Sequence, residues 1–533
     1  MQAGAAGFFE CGQRSHRQRR PFRILLTAVD VDPLVFGALH LDARGSALAG
    51  DEGGAVGYDE AIDAQATPRH PYAKIIDTVT ELGIATLRSR RSAIEQEQRD
   101  EDITFRVNGQ QDRRVFPVDL IPRLIAADEW RALSLGLMQR ACALNAFLCD
   151  VYSEQSIVRE GILDRHTLER APRFRSTGRL VSGAVRVHVS GTDLVCDRER
   201  HWMVLEDNLR VPSGMAYALA NRKLLDRHLP EFNRPATTLD VDGAPRMLYD
   251  TLCASAPRAA PVHPAVVLLS TGPADSAWFE HTFLAEQMNV ALAHPSELSV
   301  HDSIVWRHFG RTRSRVDVLY LRIDEDVLLS AYGYNRKPLR SGLLSALAAG
   351  TLTVANAFGN GIADDKAIYR HVPAMIEYYL GEEPLLPQVR TWICARHDEC
   401  DYVLSNLEGL VTKPVDGFGG AGVVIGPEAS ERAIERRKRE LHLQPERFVA
   451  QEVVQLATQP TFDGDGLSPR RVDLRTFVHL RPRADGSIVA QVAPAALTRV
   501  ATHGSSIVNS SSGGGSKDTW IEKWPLDVGP KDR

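Results

Sequence analysis

The sequence lacks the paired cysteines of a disulfide-stapled protein. Its 533 residues contain seven cysteines, an odd number, scattered along the chain. This usage favours reduced thiols in a cytoplasmic protein over a disulfide framework. Cys394, His397 and Cys400 lie close together, but no second ligand pair follows at zinc spacing, so a zinc site is not predicted.

Strong charge of one sign and long apolar runs are also missing. The net charge is -5, which gives no global field to attract nucleic acid or an anionic membrane. The most apolar early run, Phe22–Leu41, is broken by Asp30, Asp32 and Pro33, whereas a bilayer span needs about 20 apolar residues. No small-residue cleavage site follows this run, so no export signal is predicted. Neither a membrane nor a nucleic-acid partner is expected.

Lysine is scarce. Nine of the 63 lysine and arginine residues are lysines, and two of them, Lys366 and Lys413, stand beside candidate phosphate-binding elements. This scarcity weakens the interpretation of these two residues as incidental surface charges.

The remaining sequence has the composition of an ordinary globular protein, with 44% hydrophobic residues and a length typical of roughly three to four domains. Residues 1–55 include a basic arm, Gln13–Arg20, and are predicted to be a mobile N-terminal segment. From about residue 72 to about 170 the pattern is helical. One stripe, predicted to be core, recurs at steps of three and four: Trp130, Leu133, Leu137, Ala141, Leu144 and Leu148.

Strands follow this helical region. Val185–Val189 and Trp202–Leu205 are predicted to form a hairpin around the turn 197–200, which brings Asp193 near Glu206. A parallel α/β unit is then predicted from the order of strands, a glycine turn and a helix. Its segments are 265–269, 278–288, 290–293, 316–321 and 351–355.

The glycine-rich segment 411–426 contains the dinucleotide fingerprint G-x-G-x-x-G at Gly417, Gly419 and Gly422. That fingerprint requires a helix after the glycines. Here a β-branched run, 423–425, follows, so the loop is predicted to return into a strand, which argues against a dehydrogenase. With Lys413 on the incoming strand, the hairpin is typical of a lid over nucleotide phosphates. An ordinary glycine hairpin with a surface lysine is the alternative.

Several motifs in order resemble the ATP-grasp superfamily, in which two subdomains hold ATP. Matching segments are Asp364–Lys366, Lys413–Gly422, Phe448–Val454, Asp473–Val478, and Arg499 with Asn509–Gly514. The family's closing acidic pattern does not follow them. It occurs earlier, as Asp193 and, thirteen residues later, Glu206 with Asn208. The sequence therefore resembles the bacterial type-2 circularly permuted ATP-grasp proteins, relatives of glutathionylspermidine synthase-like ligases, over about residues 56–525.

This resemblance implies an α+β or α/β protein with a permuted ATP-grasp fold, an inserted α/β pre-grasp-like domain and a helical N-terminal region. The implied units are 1–55, 56–240 with the metal-ligand part, 241–363 as the inserted domain, and 364–533 as the ATP-binding part. It also implies ATP contacts at Lys366, Lys413, Gly417, Gly419, Gly420, Gly422, Gln451, Glu452, Val453 and Asn509. Magnesium ligands are implied at Asp193, Glu206 and Asn208, and catalytic roles at Arg475 and Arg499.

The implied activity is an ATP- and Mg²⁺-dependent carboxylate–amine ligase acting through an acyl phosphate on small-molecule or peptide substrates. A catalytically silent ATP-grasp scaffold that binds a nucleotide or a protein is the alternative. The sequence identifies neither substrate, because fold-level analogy does not define substrate loops.

Overall fold

The computed structural model describes residues 9–11, 58–106, 113–417, 420–505, 508 and 514–524. Its helices are α1 (Ala73–Asp100), α2 (Ala127–Val151), α3 (Ser156–Arg159), α4 (Arg165–Arg170), α5 (Met215–His228), α6 (Ala244–Ala254), α7 (Trp278–Gln287), α8 (Glu325–Ser330), α9 (Arg340–Ala348), α10 (Lys366–Tyr369), α11 (Val372–Leu380), α12 (His397–Ser405) and α13 (Glu431–Leu443).

The described residues also form the following strands. They are β1 (Phe9–Cys11), β2 (Thr104–Arg106), β3 (Arg113–Val115), β4 (Arg123–Ile125), β5 (Val189–Cys196), β6 (Trp202–Asn208), β7 (Val266–Leu269), β8 (Ala291–Ala293), β9 (Leu298–His301), β10 (Ile304–Phe309), β11 (Thr312–Val316), β12 (Val318–Leu321), β13 (Thr353–Ala355), β14 (Thr391–Ile393), β15 (Leu410–Pro414), β16 (Val424–Ile425), β17 (Phe448–Glu452), β18 (Thr458–Phe462), β19 (Leu467–Pro482), β20 (Ile488–Val492), β21 (Leu497–Val500), β22 (Gly515–Lys517) and β23 (Thr519–Ile521). Of the segment 1–55, only β1 is described.

Helix α2 is a central core element. The predicted stripe from Trp130 to Leu148 is buried in an extensive hydrophobic cluster. Within the described part of the chain, α2 is the one helix long and apolar enough to cross a membrane, and 78% of its most apolar window is buried inside the protein. Phe22–Leu41, excluded as a membrane span from its sequence, lies outside the described residues.

An eight-stranded sheet joins distant parts of the chain. Strand β19 runs through its centre and pairs antiparallel with β20, β21 and β18. Strand β5 also pairs with β19, placing Asp193 opposite Arg475, and β6 completes the sheet beside β5. The predicted hairpin is confirmed, and it forms one sheet with strands more than 250 residues away in sequence.

The first strand of that hairpin was predicted too early. The structure begins β5 at Val189, not at Val185, because side chains occupy the preceding backbone groups. Asn145 Oδ1 accepts from the amides of Arg186 and Val187, and Asn356 Oδ1 accepts from those of His188 and Val189. The amides of residues 186–189 thus bond asparagine side chains, and regular pairing with β19 starts only at Val189. The second strand, β6, continues past the predicted end to Asn208.

The inserted unit has the predicted parallel sheet, in the order β13-β12-β7-β8. A three-stranded antiparallel sheet, β9 to β11, extends it. Arg210, just after β6, connects this unit to the rest of the protein, because it pairs with Asp324 before α8 and with Asp364 before α10. The inserted unit is thereby fixed beside the end of the β5–β6 hairpin.

The glycine-rich segment belongs to a four-stranded antiparallel sheet, in the order β14-β17-β15-β16. Val411 pairs with Ile425 and Thr412 with Val424, so the chain returns as a strand after the glycines. The predicted hairpin is confirmed, and the helix that a dinucleotide fingerprint requires is absent at this place. Cys394 and Cys400 are buried beside this sheet, whereas the side chain of His397 is 95% exposed, so these residues do not form a shared metal site.

Candidate active site

One cleft collects most of the predicted site residues. It has a volume of about 650 Å³. It lies between the eight-stranded sheet, the four-stranded antiparallel sheet β14-β17-β15-β16 and the inserted unit. Ligand pockets commonly span about 300–1,000 Å³. Its lining includes Asp193, Glu206, Asn208, Lys366, Lys413, Gly417, Gly420, Gln451, Glu452, Val453, Arg475 and Arg499.

Asp193 is the buried centre of the cleft floor. It lies opposite Glu206 on β6 and Arg475 on β19, next to a β-bulge. Its Oδ1 accepts from Arg475 Nε at 2.6 Å, and its Oδ2 accepts from Nη2 of Arg475 and of Arg499, each at 2.7 Å. Burial opposes the charge, yet the two guanidinium groups hold the pKa of Asp193 well below its ordinary range. Asp193 is therefore a fixed anion.

Asp473 completes this charge cluster. It lies opposite Arg499 across β19 and β21, and Arg499 Nε donates to both of its carboxylate oxygens, at 2.9 and 3.1 Å. Burial raises the pKa of Asp473, although Arg499 opposes this shift. Arg499 thus bridges two buried carboxylates, and it holds the row of strands β5, β19 and β21 in register.

Glu206 and Asn208 both line the cleft because they are two residues apart on β6. Asp207 between them turns its carboxylate to Arg140 of α2, at 2.7 Å. Glu206 is more loosely held than Asp193: its nearest cations among the described ion pairs are Lys366 Nζ at 3.7 Å and Arg475 Nη2 at 4.0 Å. The Nδ2 atom of Asn208 is buried without a hydrogen-bond partner.

Lys413 enters the cleft from β15. Its Nζ donates to Gln451 Oε1 on the neighbouring β17 at 2.6 Å, and Gln451 in turn donates to Thr391 of β14 at 3.0 Å. Burial lowers the pKa of Lys413 from its ordinary 10.5 to about 8, although Glu206 opposes this shift. The ammonium group lies near the acidic residues of the cleft. None of its described contacts is a direct bond to a carboxylate.

Lys366 connects the start of α10 to the glycine loop. Its Nζ donates to the carbonyl of Gly417 at 2.8 Å, and its backbone amide donates to Val415 at 3.1 Å. Asp365 caps α10 by accepting from Ala367 N at 2.8 Å. Burial raises the pKa of Asp365 to about 6. The lysine therefore comes from a helix start, as predicted, and contacts the loop directly.

Five predicted site residues need separate comment. Gly422 does not line the cleft; it turns the loop at φ +73° against Pro414, and its carbonyl accepts from Arg437 Nη2 at 2.7 Å. Gly419 and Asn509 lie outside the described residues. Gln451 lies between Thr391 and Val411 within the sheet and still lines the cleft, and Val453 lines it just beyond the end of β17.

Several cleft residues were not among the predicted site residues, and Asp473, Ser213 and Tyr217 are three of them. Asp473 carries a signal in the sequence, because Asp473 and Arg475 are two apart on a strand and share a face. Ser213 and Tyr217 carry none. They reach the cleft through the loop after β6 and the first turn of α5, which no motif identifies.

The residues present fit a magnesium ion. Asp193, Glu206 and Asn208 supply the hard oxygen donors that this ion prefers. The arginines take three hydrogen bonds at Asp193, whereas an ionised carboxylate offers about four lone-pair positions. The Nδ2 atom of Asn208 has no hydrogen-bond partner that would fix the orientation of the side-chain amide. Glu206, 32% exposed at its side chain, is accessible.

Two β-sheets of this protein enclose lysines, a glycine hairpin and hard oxygen ligands. This arrangement is typical of proteins that hold a nucleoside triphosphate between two sheets. The chain belongs to one family of this class, described as "Circularly permuted ATP-grasp type 2", whose profile matches residues 122–501. The expected family and fold are thereby confirmed.

Known relatives support this assignment. The chain is 49% identical over 468 residues to "Putative glutamate--cysteine ligase 2-3" of Frankia alni, covering 88% of this chain and 54% of that protein. An uncharacterised protein of Synechocystis is 42% identical, with 87% of this chain and 96% of that protein covered. The chain thus spans about half of the Frankia relative and nearly all of the Synechocystis one.

A solved structure shares the fold. It is a glutathione synthetase-like effector from Globodera pallida in its apo form, with a TM-score of 0.54 and 10% identity, covering 83% of this chain and 98% of that one.

Proposed function

We propose that the protein is an ATP- and Mg²⁺-dependent carboxylate–amine ligase that acts through an acyl phosphate. One observation carries the proposal: Asp193, Glu206 and Asn208 of the early hairpin meet Lys366, Lys413, Arg475 and Arg499 in one cleft. Family membership and the ligase names of the Frankia relatives support the same reaction class. The cytoplasmic location remains a prediction.

In this proposal, ATP lies between the two sheets with its adenine near Val453 at the end of β17. Lys413 and Lys366 contact its phosphates, and the glycine hairpin covers them. Lys366 already bonds the carbonyl of Gly417, so closing of the lid is coupled to placement of this ammonium group. A closed lid excludes water and limits hydrolysis of a reactive acyl phosphate.

Magnesium, held by Asp193, Glu206 and Asn208, would neutralise phosphate charge during transfer. Arg475 and Arg499 present their donors at the same place. Their bonds to Asp193 keep the guanidinium groups fixed, and fixed donors stabilise developing negative charge without reorganisation. After the carboxylate substrate takes the γ-phosphoryl group and releases ADP, the amine displaces phosphate and forms the amide.

The test is a screen for ADP release across carboxylate and amine mixtures, followed by mass spectrometry of the condensed product. We expect ADP and phosphate to appear only with a matching pair, together with a product whose mass equals both substrates minus water. ATP binding with no turnover across the screen would instead favour the scaffold alternative. Stabilisation by NAD and none by ATP would contradict both.

A further inference from the structure

The arginines of the cleft differ in one respect: whether they hold a carboxylate. Most of them do. The pairs are Arg173 with Asp324 at 3.2 Å, Arg210 with Asp364 at 2.7 Å, Arg471 with Glu428 at 3.9 Å, Arg475 with Asp193 at 2.6 Å, and Arg499 with Asp473. Arg106 lines the same cleft and forms no ion pair with any described residue. Its positive charge therefore faces the cleft uncompensated by the described part of the chain.

Arg106 is held by hydrogen bonds to the segment 274–276, which leave its Nε donor without a partner. Its Nη1 donates to the carbonyl of Ala274 at 3.0 Å, and its backbone amide donates to Ser276 at 3.2 Å. Its Nε is buried and has no hydrogen-bond partner. The edge formed by Nε and Nη2 is the one by which Arg475 binds Asp193 and Arg140 binds Asp207. This edge is suited to a carboxylate, which it binds through two parallel bonds.

Aromatic rings lie next to Arg106. The centroids of Phe105 and Phe116 are 5.3 Å apart, and those of Phe116 and Tyr217 are 5.1 Å apart. The Tyr217 hydroxyl donates to the carbonyl of Thr104 at 3.0 Å, which ties α5 to β2. All three rings line the cleft. They form an apolar wall, called here the aromatic wall, on which an apolar or planar group can pack.

The aromatic wall connects to the charge cluster through the loop before α5. Arg475 Nη1 donates to the carbonyl of Ser213 at 3.2 Å, and Gly214 N is fixed by Glu280 at 2.6 Å. Tyr217 follows in the first turn of α5. The proposed nucleotide contacts, Lys413 and Gln451, come from the other sheet. A molecule whose reacting group lies at Arg475 can therefore extend along Ser213 and Tyr217 to Arg106.

We infer that this wall binds one of the two substrates, and that this substrate carries an apolar portion and a carboxylate that Arg106 holds and that does not react. An amino acid or short peptide with a free carboxyl group has this chemistry. The inference rests on the proposed ligase function, because it places a substrate beside the reacting centre. Burial of the unpaired Nε donor is costly, and a carboxylate that accepts from it removes that cost.

The test uses simple probes of the proposed chemistry. Binding of 3-phenylpropionate and of its uncharged amide is measured by ligand-observed NMR titration, in protein saturated with Mg²⁺ and the β,γ-imido analogue of ATP. We expect the acid to bind about tenfold more tightly than the amide, a difference of about 1.4 kcal/mol, because a hydrogen bond between two charged groups is stronger than one to a neutral group. Arg106→Gln should remove this preference, and Arg106→Lys should restore part of it.

Two controls separate the possible failures. Arg114→Gln, on the exposed side of the adjacent strand β3, should leave the preference unchanged. Affinity for the ATP analogue should stay within about twofold in Arg106→Gln, a change of under 0.5 kcal/mol. Equal binding of acid and amide, no binding of either, or an equal loss of both in Arg106→Gln would overturn the inference. In each of these outcomes, retained binding of the analogue leaves the proposed function standing, whereas its absence in the unaltered protein contradicts the proposed function itself.

Discussion

At the scale of single residues, Arg499 is the side chain on which the buried charge cluster depends most. Its guanidinium bonds the buried carboxylates of Asp193 and Asp473, both of which are fully buried. We predict that Arg499→Met lowers the free energy of unfolding by about 3–5 kcal/mol, because it leaves the buried Asp473 without its cationic partner and Asp193 with Arg475 alone. Urea unfolding followed by tryptophan fluorescence measures the change.

The matched control is Arg246→Met, which removes an exposed i,i+4 pair with Asp250. This change should leave the urea midpoint unchanged, because an exposed ion pair is screened by solvent. If Arg499→Met cost as little as the control, the charge cluster would not be the structural unit described here.

Lys413 has a different role, because its ammonium group bonds only a neutral amide among the described contacts. Lys413→Met should weaken ATP binding about 10- to 100-fold while the fold stays intact, since a bond to a charged phosphate contributes about 1.5–3 kcal/mol. Calorimetric titration checks the affinity. Lys438→Met, which removes a surface pair with Glu435, is the control and should bind ATP unchanged. Equal affinities in all three proteins would make Lys413 an incidental charge.

The lowered pKa of Lys413 also predicts a pH dependence. Between its folded pKa of about 8 and its ordinary 10.5, the folded protein has lost a proton that the unfolded chain retains, so stability from this group rises with pH across that window. Bound phosphate favours the charged form. ATP binding should therefore take up a proton above about pH 8, and affinity should fall as pH rises further. Titrations at pH 8.5 in buffers of different ionisation enthalpy detect this uptake, which should vanish in Lys413→Met.

At the scale of elements, the glycine hairpin between β15 and β16 depends on backbone conformation. Gly422 has φ +73°, and a Cβ there would lie 2.8 Å from Pro414 Cγ. We predict that Gly422→Ala weakens ATP binding about tenfold, because about 1–3 kcal/mol of strain disfavours the closed loop. Gly409→Ala is the control, since nothing lies within 4 Å of its added Cβ. A thermal melt confirms folding of both variants, and equal ATP affinity would contradict a role for this turn.

Elements also show what sequence reasoning can reach. The glycine hairpin and the parallel unit were predictable, because glycine turns and β-branched runs act locally. The start of β5 was not, since Asn145 and Asn356 reach it from distant segments. The contact of Asp193 with Arg475, 282 residues apart, follows from no local pattern. This contact could be predicted only from the order of motifs in a known family. Neither local patterns nor that resemblance predicted a role for Arg106.

At the scale of the whole molecule, the circular permutation brings strands from both halves of the chain into one sheet. Strand β19 carries Asp473 and Arg475 and pairs with β5 from the first half of the chain and with β21 from the second. Neither half of the chain contains a complete site. The proposed metal ligands lie on β5 and β6 in the first half, and the proposed phosphate contacts lie on β15 and α10 in the second. Termini that are close in space make such reordering physically reasonable.

The most direct measurement is calorimetric titration with ATP, with and without Mg²⁺, of the unaltered protein and of Glu206→Gln. The account predicts that Mg²⁺ strengthens ATP binding to the unaltered protein and that Glu206→Gln loses most of this gain, because a hard anionic ligand is replaced by a neutral one. The control Glu446→Gln, at an exposed position before β17, should keep it. The same gain from Mg²⁺ in Glu206→Gln as in the unaltered protein would contradict a site shared between the two halves of the chain.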